Sequence, residues 1–253
     1  MIAAPGEISA HSGTAARPTA RRPARPRGRA VAIGTFDGVH RGHARVIAGC
    51  DTVLTFDPHP RSVLQPDRVP RLLADAEGRR RRIAALGVRE IVVIPFDRAW
   101  AAVDAAAFVD ELIIARLGAR SVSVGADFRF GAGAAGDARA LAADPRFITT
   151  VAPMTTVDGE VVSSSRIRAL VAAGDVERAA RLLGRPHALP ARIAPNGRLT
   201  IDPALATPPP GRYAVTVAGA TTRVTLLDHG VIEPVRGSAG WARSAEVSFL
   251  GRT

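Results

Sequence analysis

Short apolar runs, each closed by glycine or a polar cluster, recur from residue 30 to residue 152. Ala30–Gly34 and, within Glu90–Pro95, Ile91 to Ile94 are apolar at consecutive positions, which predicts strands buried on both faces, and Thr52–Phe56, Ser121–Gly125 and Phe147–Ala152 read as further strands. Between them the spacing becomes helical. His43–Ala48 predicts one helix, and Ala74–Leu86 a second, with Arg79, Arg80, Arg81 and Arg82 on its outer face and Gly87 as its stop. Asp104 caps a third that runs to Leu117 through Phe108 and Leu112, with Gly118 ending it. Ser163–Ala173 and Asp175–Leu183 predict two closing helices before Gly174 and Gly184. Strand and helix in alternation predict an α/β fold, a parallel sheet with helices on both faces. Right-handed crossovers would gather the strand carboxyl ends at one edge, where such sheets bind ligands.

The texture changes after Arg185. Pro186, Pro190, Pro195, Pro203 and Pro208–Pro210 break the helical rhythm, while Arg212–Val217, Arg223–Leu227 and Glu246–Leu250 alternate in polarity and Asn196-Gly197 fits a hairpin turn. The expected organisation is an arm over residues 1–28, an α/β domain over 29–187 and a small antiparallel β module over 188–253. That module has marginal stability of its own and is expected to lean on the first domain.

Composition changes the picture little. A chain of 253 residues, 47% of them apolar, can bury a full core, and no run reaches the roughly 20 apolar residues of a membrane helix. Residues 1–29 lack the apolar centre of a secretory signal, and a single cysteine, Cys50, builds no internal disulfide framework, so a cytoplasmic location is expected. Cys50 reads as a small apolar residue near a helix end. The net charge of +11 invites a nucleic-acid reading, but every Lys/Arg position is arginine. Met1–Arg29, rich in Pro, Ala, Gly and Arg, contributes +5 of that charge with six arginines and one glutamate, and reads as a disordered, solvated arm. The mildly basic remainder suits a polyphosphate binder. A nucleic-acid partner is therefore not expected, nor a membrane, and oligomeric state cannot be read.

The segment Gly34-Thr35-Phe36-Asp37-Gly38-Val39-His40-Arg41-Gly42-His43 leaves a strand and opens a helix. Unpaired N–H groups at a helix start favour phosphate, and Gly34, Gly38 and Gly42 would let a nucleotide approach the backbone. His40 and His43, three apart, would point to one side and donate to an α-phosphate oxygen and a leaving pyrophosphate. No third ligand for a metal is evident nearby. Ser164, Ser165, Arg166 and Arg168 begin a helix, so hydroxyls and guanidiniums could converge on the β- and γ-phosphates. The hydroxyls could equally serve as plain helix caps. Phe128 and Phe130 flank Arg129 in a glycine-rich loop and could form a platform for a flat ring or anchor the loop to the core.

In this order the motifs resemble the bacterial FAD synthetases, in which an FMN adenylyltransferase is fused to a riboflavin kinase. Gly-x-Phe-Asp-Gly-Val-His-x-Gly-His is similar to the family's ATP-binding motif. Thr55-Phe56-Asp57-Pro58-His59-Pro60 resembles its segment after the second strand, Val124–Gly131 its flavin-side loop, and Val162–Arg168 its Ser-Ser-Thr-Arg-Ile-Arg signature. The likeness covers about Arg29 to His187. It implies a Rossmann-like nucleotidyltransferase that uses ATP and FMN as substrates, with Mg2+ carried on the triphosphate and no metal site on the protein. Implied catalytic residues are His40, His43 and Arg166. Gly34, Phe36, Asp37, Gly42, Ser164, Ser165 and Arg168 would bind ATP, and Phe56, Asp57, His59, Asp127, Phe128 and Phe130 would bind flavin. The family often has Asn where Asp127 stands, and His59 reads equally as a turn residue.

Two departures accompany the resemblance. Only Ala44 to Asp51 separate the histidine turn from the Thr-Phe segment, so a helix is shorter by two to three turns, and the stretch from Leu141 to Phe147 is also short. The kinase signature Gly-x-Pro-Thr-Ala-Asn is absent, and the C-terminal strands look like the reduced remnant of a kinase barrel. The implied function is adenylyl transfer from ATP to FMN without kinase activity. A related enzyme with another phosphate acceptor and a paralogue that binds ATP or flavin without turnover are the alternatives.

Overall fold

The computed structural model describes residues 9–12, 28–233 and 243–253. They form two compact units. The first takes in the described residues up to Phe36, with His43–Val69 and Arg80–Met154, and the second takes in Asp37–Gly42, Pro70–Arg79 and the chain from Thr155.

In chain order the elements of the first part are β1 (Ser9–Ser12), β2 (Arg29–Ile33), α1 (Arg41–Ile47), β3 (Thr52–Asp57), α2 (Pro60–Leu64), α3 (Ala76–Ala84), β4 (Glu90–Pro95), α4 (Arg98–Ala101), α5 (Ala105–Ala107), β5 (Ala119–Gly125), β6 (Arg129–Phe130), β7 (Gly136–Asp137), α6 (Ala138–Ala143) and β8 (Ile148–Ala152). One sheet runs β1-β4-β3-β2-β5-β8. Its last five strands are mutually parallel, as the apolar runs predict. Val31, Ile33, Leu54, Val92, Ile94, Val122 and Val124 share one core cluster with Phe108, Leu112, Ile113 and Leu141. From β2 the chain proceeds to β3 and β4 on one side and to β5 and β8 on the other. The strand order therefore reverses at β2, and the crevice of the switch point opens at the carboxyl ends of β2 and β5.

Two expectations are corrected in this unit. Ser9–Ser12, part of the expected disordered arm, pairs antiparallel with Glu90–Val93 as the edge strand; most of that arm lies outside the described residues. The expected helix from Asp104 does begin with that residue as cap, its carboxylate accepting the Ala107 N–H, but from Phe108 to Arg116 it is a π-helix. Wider i→i+5 bonding takes more residues per turn, so the buried Phe108, Val109, Leu112, Ile113 and Leu117, four and five apart, lie along one face. Cys50 is half-buried, and burial followed by the adjacent Asp51 carboxylate pushes its thiol up to about 11, which suits an inert thiol.

The second unit contains β9 (Thr156–Val157), β10 (Glu160–Val161), α7 (Ser164–Ala172), α8 (Val176–Leu183), β11 (His187–Ile193), β12 (Leu199–Ile201), β13 (Gly211–Val217), β14 (Ala220–Leu226), β15 (Val231–Ile232) and β16 (Ser244–Arg252). The last six close as an antiparallel barrel in the order β11-β12-β15-β14-β13-β16, which removes the exposed edges of so small a sheet. Inward positions are filled by Leu189, Ile201, Tyr213, Val215, Val217, Val247 and Phe249, all fully buried. Val176 of α8 packs into the same core. Within this unit α7 and α8 group with the barrel, together with Asp37–Gly42 and Pro70–Arg79. Among the described residues no helix is long and apolar enough to cross a membrane.

Phe249 lies edge-on to Tyr213, ring centroids 5.6 Å apart, with no exposed surface. Phe249→Ala is expected to lower stability by about 3–5 kcal/mol, measured as a shift in denaturant midpoint at unchanged slope.

Candidate active site

The turn after β2 is built on backbone that L-residues rarely adopt. Phe36 has φ 51°, Gly38 φ 80° and Val39 φ 43°, two of the three being bulky side chains in the left-handed region. Such residues cost on the order of 1–3 kcal/mol each and persist only where their surroundings over-determine them. Asp37 supplies much of that determination. It is 2% exposed; one carboxylate oxygen accepts the Leu73 N–H at 2.9 Å and the other accepts from Arg168 Nη1 at 2.7 Å. Its carbonyl accepts the Ser164 hydroxyl at 2.9 Å. Burial raises the Asp37 pKa above the ordinary carboxylate range, while the Arg168 charge, the Leu73 amide and the Arg79 charge pull it back down.

The turn glycines serve the protein's own rings. A Cβ on Gly34 would stand 3.1 Å from the Phe36 ring, and one on Gly42 would stand 3.2 Å from the His40 ring. At Gly38 a Cβ would come within 2.8 Å of Leu73, on top of the positive φ. Phe36 is buried and meets His43 edge-on, ring centroids 5.3 Å apart, which orients the half-buried imidazole. His40 is 5% exposed, and its pKa falls to about 4 through burial and then the charges of Arg185 and Arg168. At neutral pH it is an uncharged imidazole with one N–H donor, so it does not act as a cation toward phosphate.

The second Ser-Arg motif divides differently from expectation. Ser163 caps α7, its hydroxyl accepting the Arg166 N–H, and Ser164 is committed to the Asp37 carbonyl. Ser165 is exposed and accepts from Arg168 Nη2 at 3.2 Å. Arg166, expected on the triphosphate, turns instead to Glu160, which also accepts from Arg178 Nε at 2.8 Å. Arg166, then Arg178, hold the Glu160 carboxyl below its ordinary range. Arg166 thus secures the β9–β10 hairpin, and Arg168 is the arginine that reaches the turn.

On the flavin side, Phe130 is 7% exposed, packed on Phe108 at 5.1 Å and stacked with Phe128 at 5.7 Å and 19°. Gly136 lies against it so closely that a Cβ would sit 2.5 Å from the ring. Phe130 is therefore the loop's anchor, and only Phe128, half-buried, keeps accessible surface. Phe56 is likewise a core residue, edge-on to Phe96. His59 caps α2, its Nδ1 accepting the Arg61 N–H at 3.2 Å, as its alternative reading as a turn residue implies. Asp57, the last residue of β3, and Asp127, two residues past β5, are both exposed.

Two arginines were missed by sequence reasoning. Arg79, expected on an outer helical face, is 4% exposed and acts on the Asp37 charge. Arg185 donates to the carbonyls of Gly38 and Val39. Among the described residues no three His, Cys, Asp or Glu side chains gather as a metal site.

A sheet with its phosphate-type turn at the switch point, followed by a closed antiparallel barrel, defines a Rossmann-like nucleotidyltransferase fold with a C-terminal β module. Residues 22–166 match the family model of FAD synthetase, and the chain belongs to that family. It is 33% identical over 186 residues to the bifunctional riboflavin kinase/FMN adenylyltransferase of Pseudomonas fluorescens, covering 68% of this chain and 60% of that one. The protein of that description from Escherichia coli K12 is 32% identical over 182 residues (67% and 58%), and that from Listeria monocytogenes 36% over 170 (62% and 54%). The matched part thus spans about 60% or less of these relatives' length. A crystal structure described as a macrolide-efflux protein from Streptococcus pneumoniae superposes with TM-score 0.77 at 23% identity, covering 90% of this chain and 86% of that one, and shows the shared fold alone.

Removing the Asp37 carboxylate would strand Arg168 and the Leu73 amide. Asp37→Ala is therefore expected to cost about 3–5 kcal/mol, read by thermal or denaturant unfolding. The pH dependence has a defined sign. The His40 pKa is depressed from 6.5 to about 4 on folding, so the unfolded chain binds the extra proton in that interval. Stability contributed by the neutral ring is full above 6.5 and falls by about 3 kcal/mol as pH drops to 4. The raised pKa of Asp37 works in the opposite sense, because the native state takes up that proton first on acidification. His40→Asn should flatten the acid loss between these limits, measured by unfolding midpoint against pH.

Proposed function

We propose that this chain transfers the adenylyl group of ATP to FMN, giving FAD and pyrophosphate, and does not phosphorylate riboflavin. The observation that carries the reading is the intact Gly34–His43 turn, held in costly backbone geometry where the first parallel strand ends. An FMN phosphate oxygen attacks the α-phosphorus as the bond to the bridging oxygen breaks, and pyrophosphate leaves with the triphosphate's magnesium. No covalent enzyme intermediate is needed; the protein positions the reactants and stabilises developing charge. His43, oriented by Phe36, donates to the reacting phosphate. Neutral His40 supplies one further N–H, and Ser165 and Arg168 face the β- and γ-phosphates. Phe128 offers a ring face to the isoalloxazine, with Asp127 as an acceptor.

The missing Gly-x-Pro-Thr-Ala-Asn signature and the side chains that fill the barrel support the absence of kinase chemistry.

Incubation with ATP, magnesium and FMN is expected to yield FAD and pyrophosphate in equal amounts, separated by chromatography, with riboflavin left unchanged. His43→Ala should lower turnover about 10²–10³-fold with an unaltered circular dichroism spectrum. Tight ATP binding with no product from any phosphate acceptor would instead make the chain a binding paralogue, and FMN formed from riboflavin would refute the loss of kinase activity.

A further inference from the structure

The strained turn is gripped by a residue far away in sequence. Arg185 Nη1 donates to the Val39 carbonyl at 3.0 Å, across 146 residues, while Nη2 donates to the Gly38 carbonyl. A guanidinium fork can hold two successive carbonyls in fixed relation; an ammonium, a single point of charge, cannot. The carbonyls it holds belong to the two residues just before His40, both at positive φ.

Arg185 is itself mounted rigidly. Gly184 ends α8 in the left-handed conformation, and β11 of the barrel begins at His187, 1% exposed, whose Nε2 shares a 2.7 Å hydrogen bond with the Ala206 carbonyl. The barrel reaches the turn by a second route. Leu72 donates to the Ala204 carbonyl and accepts from the Ala206 N–H, both at 2.8 Å, and the next residue, Leu73, donates to Asp37. Each of Asp37, Gly38 and Val39 is thus tied back to barrel-borne structure within the second unit.

We propose that Arg185 is a positioning residue for adenylyl transfer, and that the C-terminal barrel acts on the reaction by mounting it against the His40 turn. The inference rests on the reading of the turn as the adenylylation site. It assigns the barrel a present task independent of any kinase chemistry. Charged groups acting on the His40 ring are Arg185 from the α8–β11 link and Arg168 from α7, the latter paired with Asp37.

The test compares R185K and R185Q with wild type by steady-state kinetics and by NMR titration of the His40 imidazole. R185K keeps the charge but loses the fork. It should lower kcat about tenfold or more with KM for FMN within about twofold, and the His40 titration should stay near that of wild type. R185Q also removes a repelling cation, so the His40 titration should move upward as well, and added guanidinium should restore part of the turnover of either variant. Wild-type kcat in R185K overturns the proposal, including the case in which R185Q does not fold. If wild type itself makes no FAD, the functional reading fails, while the R185Q titration still decides whether Arg185 controls His40.

Discussion

The turn proposed to carry the chemistry is held by one largely buried ion pair, Asp37 with Arg168. Burial pushes the pKa of this carboxyl up; a guanidinium at 2.7 Å, a main-chain amide and the charge of Arg79 oppose that. A buried pair is a poor source of net stability, since desolvation consumes most of the attraction and an apolar replacement of equal volume often does as well. What such a pair supplies is a single arrangement. With Phe36 and Val39 at positive φ, a chain left to itself would relax to ordinary dihedrals, so the geometry needs several simultaneous restraints. The pair fixes the Asp37 side chain, Ser164 fixes its carbonyl, and Arg185 fixes the next two carbonyls.

The order of strands and the positions of the motifs were legible because they are written locally. A buried parallel strand is a short apolar run, and a capped helix announces its first residue, as Asp104, Ser163 and Asp175 do here. The residues that fix the turn were less legible. Arg185 meets its acceptors across 146 residues and Arg168 its partner across 131, and no local pattern encodes such a meeting. Arg79 misled for a related reason. Within four consecutive arginines on a helix one must face inward, and only the presence of Asp37 selects which. The π-helix was hidden because its apolar positions, four and five apart, look like an imperfect α-helical stripe.

The motif residues also separate by task in a way that residue type does not announce. Gly34 and Gly42 read as openings for a nucleotide, yet each accommodates a ring of the turn itself. Phe130 and Phe56 read as flavin contacts, yet both are core, which leaves Phe128 as the aromatic with accessible surface. Of the two arginines in the Ser-Arg motif, the outer one holds a hairpin through Glu160 and the inner one holds the turn. Much of the sequence signature in this family member is thus support for the geometry of the turn and its neighbouring loops.

The charge state of His40 follows from the same restraints. Burial does most to hold the imidazole unprotonated, and Arg185 and then Arg168, placed to hold backbone and carboxylate, add to that by standing near it. The two guanidiniums that lock the turn therefore also reinforce the effect of burial on the ring. The linkage has a direction: a polyanion brought beside the ring stabilises its charged form and raises the pKa that the arginines lowered. In the proposed reaction negative charge grows on the departing pyrophosphate, so the ring's affinity for a proton rises along the reaction path. Under that proposal a histidine neutral in the free protein gains basicity first as the triphosphate arrives and again as the α–β bond opens.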